Sequence, residues 1–139
     1  IPIAIVYGDP CATRKDGVIY YDHGPNCLRF DEPRRVKGIW LYEFERSTFL
    51  EDATAVPTKR PSYSSTAWLM YDPEKIDPRP KYNGYASGQE CFAIHAFEVD
   101  FIGHRSPEGH GHLGLFDSEI WVQQMIAAKP LRSPDCATY

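Results

Sequence analysis

Short segments of β-branched and aromatic residues, separated by glycine and proline, limit what this chain can fold into. The clearest of them, residues 37–46, alternates regularly and places Trp40, Tyr42 and Phe44 on one face. Successive side chains of an extended strand point to opposite faces of its sheet. The alternation therefore predicts a β-strand over 37–46.

Other segments show the same character. Residues 1–7, 18–21, 66–71 and 91–102 are predicted to be strands, each ending near turn-forming residues. Residues 118–126 allow two readings, because Asp117 or Ser118 could cap a helix there. Their β-branched residues favour a strand.

The segments between these strands are long or ambiguous. Residues 47–54 could form one helical turn, capped by Ser47 or Thr48. Residues 72–90 hold three prolines and two glycines, which predicts a long loop. Residues 130–139 are predicted to form an extended tail.

Together these patterns predict an all-β fold of about six short antiparallel strands with long loops. The strands could form a small, partly open, OB-like barrel or a sandwich. The 139 residues fit a single domain over 1–139, and neither an internal repeat nor a composition shift marks a second one.

Charge and hydropathy exclude two kinds of partner. The net charge is −4 and the basic residues are scattered, so no nucleic-acid partner is predicted. No apolar run approaches the ~20 residues that a membrane-spanning helix needs, so no membrane span is predicted.

The four cysteines, Cys11, Cys27, Cys91 and Cys136, indicate an oxidising compartment. The chain starts at Ile1 without a methionine, which we interpret as a mature or trimmed end, and a secreted or periplasmic location is expected. Of the three possible pairings we favour Cys11–Cys27 with Cys91–Cys136; reduced thiols are the alternative. The sequence contains no Cys-x-x-Cys pair, so a zinc site made of cysteines is not predicted.

Three of the five histidines, His104, His110 and His112, lie in one glycine-rich segment between two predicted strands. Imidazoles at this spacing could bind zinc, with a carboxylate or water completing the site. The favoured interpretation is a hydrogen-bonded turn, because flanking glycines position ligands poorly. A fourth, His95, falls among apolar residues and is predicted to be a hydrogen-bonded core histidine.

The sequence contains no Gly-x-Ser-x-Gly elbow and no phosphate-binding glycine loop. We therefore favour a non-catalytic, extracytoplasmic binding module without a cofactor, which recognises a protein or a carbohydrate. The predicted contacts are Trp68, Tyr71, Tyr82 and Tyr85, together with the 72–90 loop, because tyrosine and tryptophan offer large rigid surfaces with a polar group. The alternative is a small metal-assisted hydrolase that uses zinc at His104, His110 and His112.

Overall fold

The structure is a computed structural model that describes residues 12–21, 30–72, 84–106 and 115–139. The described residues form β-strands and a single 3₁₀ turn at Tyr63–Ser65, which confirms the all-β prediction. The strands are β1 (Ala12–Lys15), β2 (Val18–Tyr21), β3 (Arg34–Glu43), β4 (Arg46–Glu51), β5 (Ala67–Met70), β6 (His95–Arg105) and β7 (Ser118–Leu131).

Five of these strands close a barrel in the order β3-β4-β5-β7-β6. All neighbours are antiparallel except β5 and β7, which run parallel. The result is a closed barrel with OB-like connectivity rather than a partly open barrel or a sandwich. The strands β1 and β2 form a separate hairpin around Asp16 and Gly17, whose positive φ angles of 53° and 76° suit a two-residue turn.

The barrel interior is filled by large apolar side chains, including Trp40, Phe49, Leu69, Phe101 and Ile120. A buried polar bridge crosses this core. The indole Nε1 of Trp40 donates to Ser47 Oγ at 2.9 Å, and that hydroxyl donates to the Leu69 carbonyl at 2.8 Å. The bridge ties three consecutive strands together without leaving the indole N–H unsatisfied.

The outer face of β3 is also buried, so that this strand has core on both sides. Ile39 and Leu41 point outward and pack with Ile94 and Ala96. The C-terminal tail, residues 132–139, helps to cover them, with contacts from Cys136 and Tyr139. The tail was predicted as extended from residue 130, but β7 continues to Leu131 and residues 136–138 form a turn.

The sequence-based prediction of a helical turn over 47–54 is wrong. The strand 37–46 ends at Glu43, and a two-residue turn leads into β4, which pairs with β3 from Glu43↔Arg46 to Gly38↔Glu51. Cross-strand pairing buries Thr48 and Phe49, and this tertiary packing outweighs the local capping pattern. The strand predicted over 91–102 instead begins at His95 and ends at Arg105. The prediction for 1–7 lies outside the described residues.

Gly38 occupies a position that only glycine fits. A Cβ atom placed there would collide with the Leu50 carbonyl oxygen and would lie 2.8 Å from Phe49 Cζ. The absence of a side chain allows β3 to lie this close to β4.

Candidate functional site

The histidine segment is described only at its start. The Nδ1 atom of His104 lies 2.9 Å from the Asp31 carbonyl oxygen, and Nε2 lies 2.9 Å from Gln123 Oε1. Both ring nitrogens thus take part in contacts that tie β6 to β7 and to the chain before β3. His110 and His112 lie outside the described residues. Within the described ranges, no group of three or more metal-binding side chains comes together.

His95 begins β6 and lies at one end of the barrel, directly across from Tyr42. The two ring centres are 6.4 Å apart, and the imidazole is half-buried. It also borders a cavity of about 550 Å³. The structure therefore places this histidine at the edge of the core.

The predicted binding aromatics occupy different environments. Trp68 points outward from β5, packs edge-on against Phe116 at 5.2 Å, and directs its N–H toward Met70 Sδ at 2.8 Å. Tyr71 packs against Trp40 at 5.0 Å and hydrogen-bonds Tyr42. Burial, followed by this hydrogen bond, raises the pKa of Tyr71.

Tyr82 lies outside the described residues. Tyr85 is 57% exposed, the highest value among the described large apolar and aromatic side chains. Its ring stacks on Phe92, with centroids 4.8 Å apart and planes 7° apart. Phe92 also contacts Phe44, whose ring centre is 4.5 Å away. We call these three rings, Phe44, Phe92 and Tyr85, the aromatic stack.

The aromatic stack combines two parts of the chain that are distant in sequence. Phe44 lies in the turn between β3 and β4 and is 42% exposed. Sequence reasoning assigned this residue to a strand and did not select Phe92 at all. No local sequence signal marks this turn, because Glu45, whose φ of 55° lies in the left-handed region, is not a residue type that usually adopts it.

The other two rings belong to a short hairpin, residues 84–93, which is held by its own backbone. Tyr85 and Phe92 form an antiparallel bridge, Ala86 N–H donates to the Cys91 carbonyl, and Ala93 N–H donates to the Gly84 carbonyl, each at 2.8 Å. The turn of this hairpin places Gly88 at a φ of 71°. These bonds fix the rings before any ligand arrives.

A disulfide anchors the 84–93 hairpin to the C-terminal tail. Cys91 and Cys136 are bonded, with Cα atoms 5.9 Å apart, which confirms the pairing favoured from the sequence. Cys11 and Cys27 lie outside the described residues, so their pairing stays a prediction. The bond joins the segment that carries the aromatic stack to the segment that covers the outer face of β3.

The carboxylates beside the aromatic stack differ in their partners. Glu43 receives both of its hydrogen bonds from Arg60 Nη1, each at 2.7 Å. Glu45 and Glu90 are exposed, and neither forms an ion pair or a side-chain hydrogen bond with the described part of the chain. The described part of the chain therefore offers neither of these two carboxylates a cationic partner.

A cavity of about 550 Å³ lies on the other side of the 84–93 hairpin. Ala86 and Ala93, each one residue after a ring of the stack, line it together with the tail. Because neighbouring residues in an extended segment point to opposite faces, the hairpin separates the aromatic stack from this cavity. The polar groups at the cavity come mainly from the tail, including Arg132, Asp135 and Thr138.

A second aromatic cluster surrounds Tyr63 on the outer face of β4 and β5. The Arg46 guanidinium covers the Tyr63 ring at 4.0 Å from its centre and donates to the Pro61 carbonyl at 2.7 Å. Phe116 meets the ring edge-on at 5.0 Å and is itself buried. Arg46 therefore already occupies one face of this exposed ring.

One buried acid was not selected from the sequence. Glu119, on β7 opposite Trp68, is only 2% exposed. Its burial raises the pKa to about 7. In the sequence this acid lies within the apolar strand segment 118–126, at an outward-facing position. An acid at such a position is normally solvated, so the pattern did not predict its burial.

The described residues thus define a small closed β-barrel that presents a rigid aromatic surface on a disulfide-anchored hairpin. No protein-family model, no curated protein and no solved structure matches the chain. Among the described residues there is no helix of the length and apolarity that crossing a membrane requires. The function must therefore be inferred from the geometry of the site.

Proposed function

We propose that this chain is a non-catalytic, extracytoplasmic binding module that holds a protein or carbohydrate ligand at the aromatic stack. The observation that carries the proposal is the Tyr85 side chain, which is 57% exposed while its ring stacks on Phe92. An exposed aromatic ring at a fixed position is a common anchor in binding surfaces.

The aromatic stack is preorganised. Its backbone hydrogen bonds and the Cys91–Cys136 bond restrict the hairpin before binding. A ligand that docks there avoids much of the ordering cost, which is about 0.5–1.5 kcal/mol for each immobilised side chain. The Cys91–Cys136 bond therefore contributes to both stability and affinity.

The disulfide also supports the proposed location, because such bonds persist mainly outside the cytoplasm. The alternative hydrolase gains no observation from the described residues. Both nitrogens of His104 already have partners within hydrogen-bond distance, which a metal would have to displace.

The proposal is tested by binding screens that compare two tyrosine variants. The intact chain is applied to a printed glycan array and to a phage-displayed peptide library, and each binder is titrated against Tyr85→Ala. Tyr63→Ala is the matched control, because this tyrosine is also exposed but lies in the other aromatic cluster.

We expect any true ligand to lose affinity with Tyr85→Ala and to retain it with Tyr63→Ala. The loss should be about fivefold or more, since an aromatic contact contributes about 1 kcal/mol beyond its buried area. Binders that ignore Tyr85, or an absence of binders from both collections, would contradict the proposal.

A further inference from the structure

The cavity on the other side of the 84–93 hairpin has one cationic and one anionic side chain in its wall. It measures about 550 Å³ and is lined by the hairpin, by residues 56–58 and by the C-terminal tail. This volume lies in the usual range for small-molecule sites, which is about 300–1,000 Å³. The cation is Arg132 and the anion is Asp135, and both belong to the tail.

These two charges are not committed to other groups. Arg132 has neither an ion pair nor a side-chain hydrogen bond with the described part of the chain, so it is not paired with Asp135. Asp135 Oδ1 accepts the backbone N–H of Ala137 at 3.0 Å, and within the same ranges Oδ2 has no partner. Both side chains are exposed, so each can exchange water for a ligand group of opposite charge.

The tail holds the carboxylate of Asp135 in place before a ligand binds. The Asp135 carbonyl accepts the backbone N–H groups of Thr138 at 3.2 Å and Tyr139 at 3.0 Å, and the next residue, Cys136, is tethered to Cys91. Such a local turn reduces the ordering cost of binding. The other lining segments contribute apolar side chains, including Val56, Ala93 and Ile94. The cavity therefore offers an apolar surface together with two opposite charges.

We infer that this cavity binds a short peptide of two or three residues with free ends, whose terminal carboxylate pairs with Arg132 and whose terminal ammonium pairs with Asp135. A simple anion or cation would use only one of the two charges, and a neutral sugar would use neither. A free amino acid would fill only a minor part of the volume. Because the cavity and the aromatic stack lie on opposite faces of the hairpin, this site goes beyond the proposed function and does not rest on it.

The test uses trialanine in four forms that differ only at their ends: free, N-acetylated, C-amidated, and blocked at both ends. Each form is titrated into the isotope-labelled, disulfide-intact chain at neutral pH and about 0.15 M salt, where distant charges are screened. Shifts of the backbone amide signals in NMR spectra give both the affinity and the location of binding. The largest shifts are expected at Ala93, Ile94 and Thr138, which line the cavity.

We expect the free peptide to bind about fivefold more tightly than either singly blocked form, which is the upper range for one exposed ion pair. Arg132→Gln should weaken the free peptide by a similar factor and leave the amidated form unchanged, because that form has no carboxylate. Asp135→Asn should weaken the free peptide and leave the acetylated form unchanged, since asparagine keeps the Oδ1 acceptor of the turn.

Two control variants remove the same charges outside the cavity. Lys129→Gln and Glu98→Gln change exposed residues of β7 and β6 that do not line it. Neither should weaken the free peptide appreciably, because charges at such positions are screened by salt.

Four results would overturn the inference. The first is equal affinity for all four peptide forms, and the second is a set of amide shifts that lies away from the cavity. The third is an Arg132→Gln variant that weakens the amidated peptide as much as the free one, because the arginine would then support the wall and not bind a carboxylate. The fourth is the absence of detectable binding of the free peptide at about 10 mM.

Discussion

Removing the Cys91–Cys136 bond should destabilise the whole barrel and not only the tail. The covalent loop that it closes spans 45 residues and contains both β6 and β7. These are the strands with the most extensive pairing in the barrel. In the double variant Cys91→Ala/Cys136→Ala, the unfolded chain regains the freedom that the loop had removed.

The magnitude follows from the loop length. The chain-entropy relation for a 45-residue loop gives an entropy difference of about 13 cal/mol/K, which corresponds to roughly 4 kcal/mol at room temperature. Domains of this kind have about 5–15 kcal/mol in total, so the loss is a large share of the stability. The buried surface lost with two sulfur atoms is small by comparison.

Urea unfolding measures this loss, and buried Trp40 provides a fluorescence signal from the centre of the core. The variant is studied without reductant, so that Cys11 and Cys27 are left as they are. We expect a lower midpoint and a slightly larger m-value, because the unfolded state exposes more surface without the cross-link. A loss below about 1 kcal/mol would refute the reasoning, since it would mean that the tail detaches locally and the bond does not constrain the barrel.

Three further substitutions test the core by the same unfolding measurement. Because burial raises the pKa of Glu119 to about 7, its carboxyl ionises first in the unfolded state, and stability should fall by roughly 2 kcal/mol as pH rises from about 5 to about 7. Glu119→Gln should flatten that dependence; an unchanged profile would contradict it. Ser47→Ala should cost about 2 kcal/mol, because it leaves the buried Trp40 N–H without its acceptor, and a neutral effect would argue against the bridge. Gly38→Ala should cost about 3 kcal/mol or more, since its Cβ meets Phe49; wild-type stability would show that the strands can separate there.

Local pattern in the sequence was enough for the fold class and for several elements. The strand Val18–Tyr21 is found as predicted, and the β-branched residues of 118–126 form a strand rather than the competing helix. The Cys91–Cys136 pairing is also confirmed. In each case the decisive information lies within a few residues or, for the cysteines, in a small number of possible combinations.

What the sequence could not provide depends on contacts between distant segments. The parallel pairing of β5 with β7 closes the barrel, yet neither strand carries a local signal for it. The same holds for β4, where pairing with β3 overrides a plausible cap at Ser47. The contact of Phe44 with Phe92 exists only because the fold brings a tight turn against the 84–93 hairpin.

The predicted binding residues also differ in their contacts with distant segments of the chain. Tyr85 remains a candidate because its exposure follows from its place in a hairpin outside the barrel. Trp68 packs against Phe116 and Tyr71 packs against Trp40, so both are partly buried, and their role in binding stays a prediction. Tyr82 and the histidine pair 110 and 112 stay predictions.

The position of the aromatic stack outside the barrel has a consequence for how affinity and stability are related. Phe44 is the only ring of the three that belongs to a barrel turn, and the 84–93 hairpin is fixed by its own backbone bonds and by one disulfide. Changes inside the barrel should therefore alter stability while the rings keep their arrangement. Loss of the disulfide acts on both properties, because it loosens the hairpin that holds Tyr85 as well as the tail that covers the outer face of β3. The oxidised state of the Cys91–Cys136 pair therefore contributes both to the stability of the barrel and to the preorganisation of the aromatic stack.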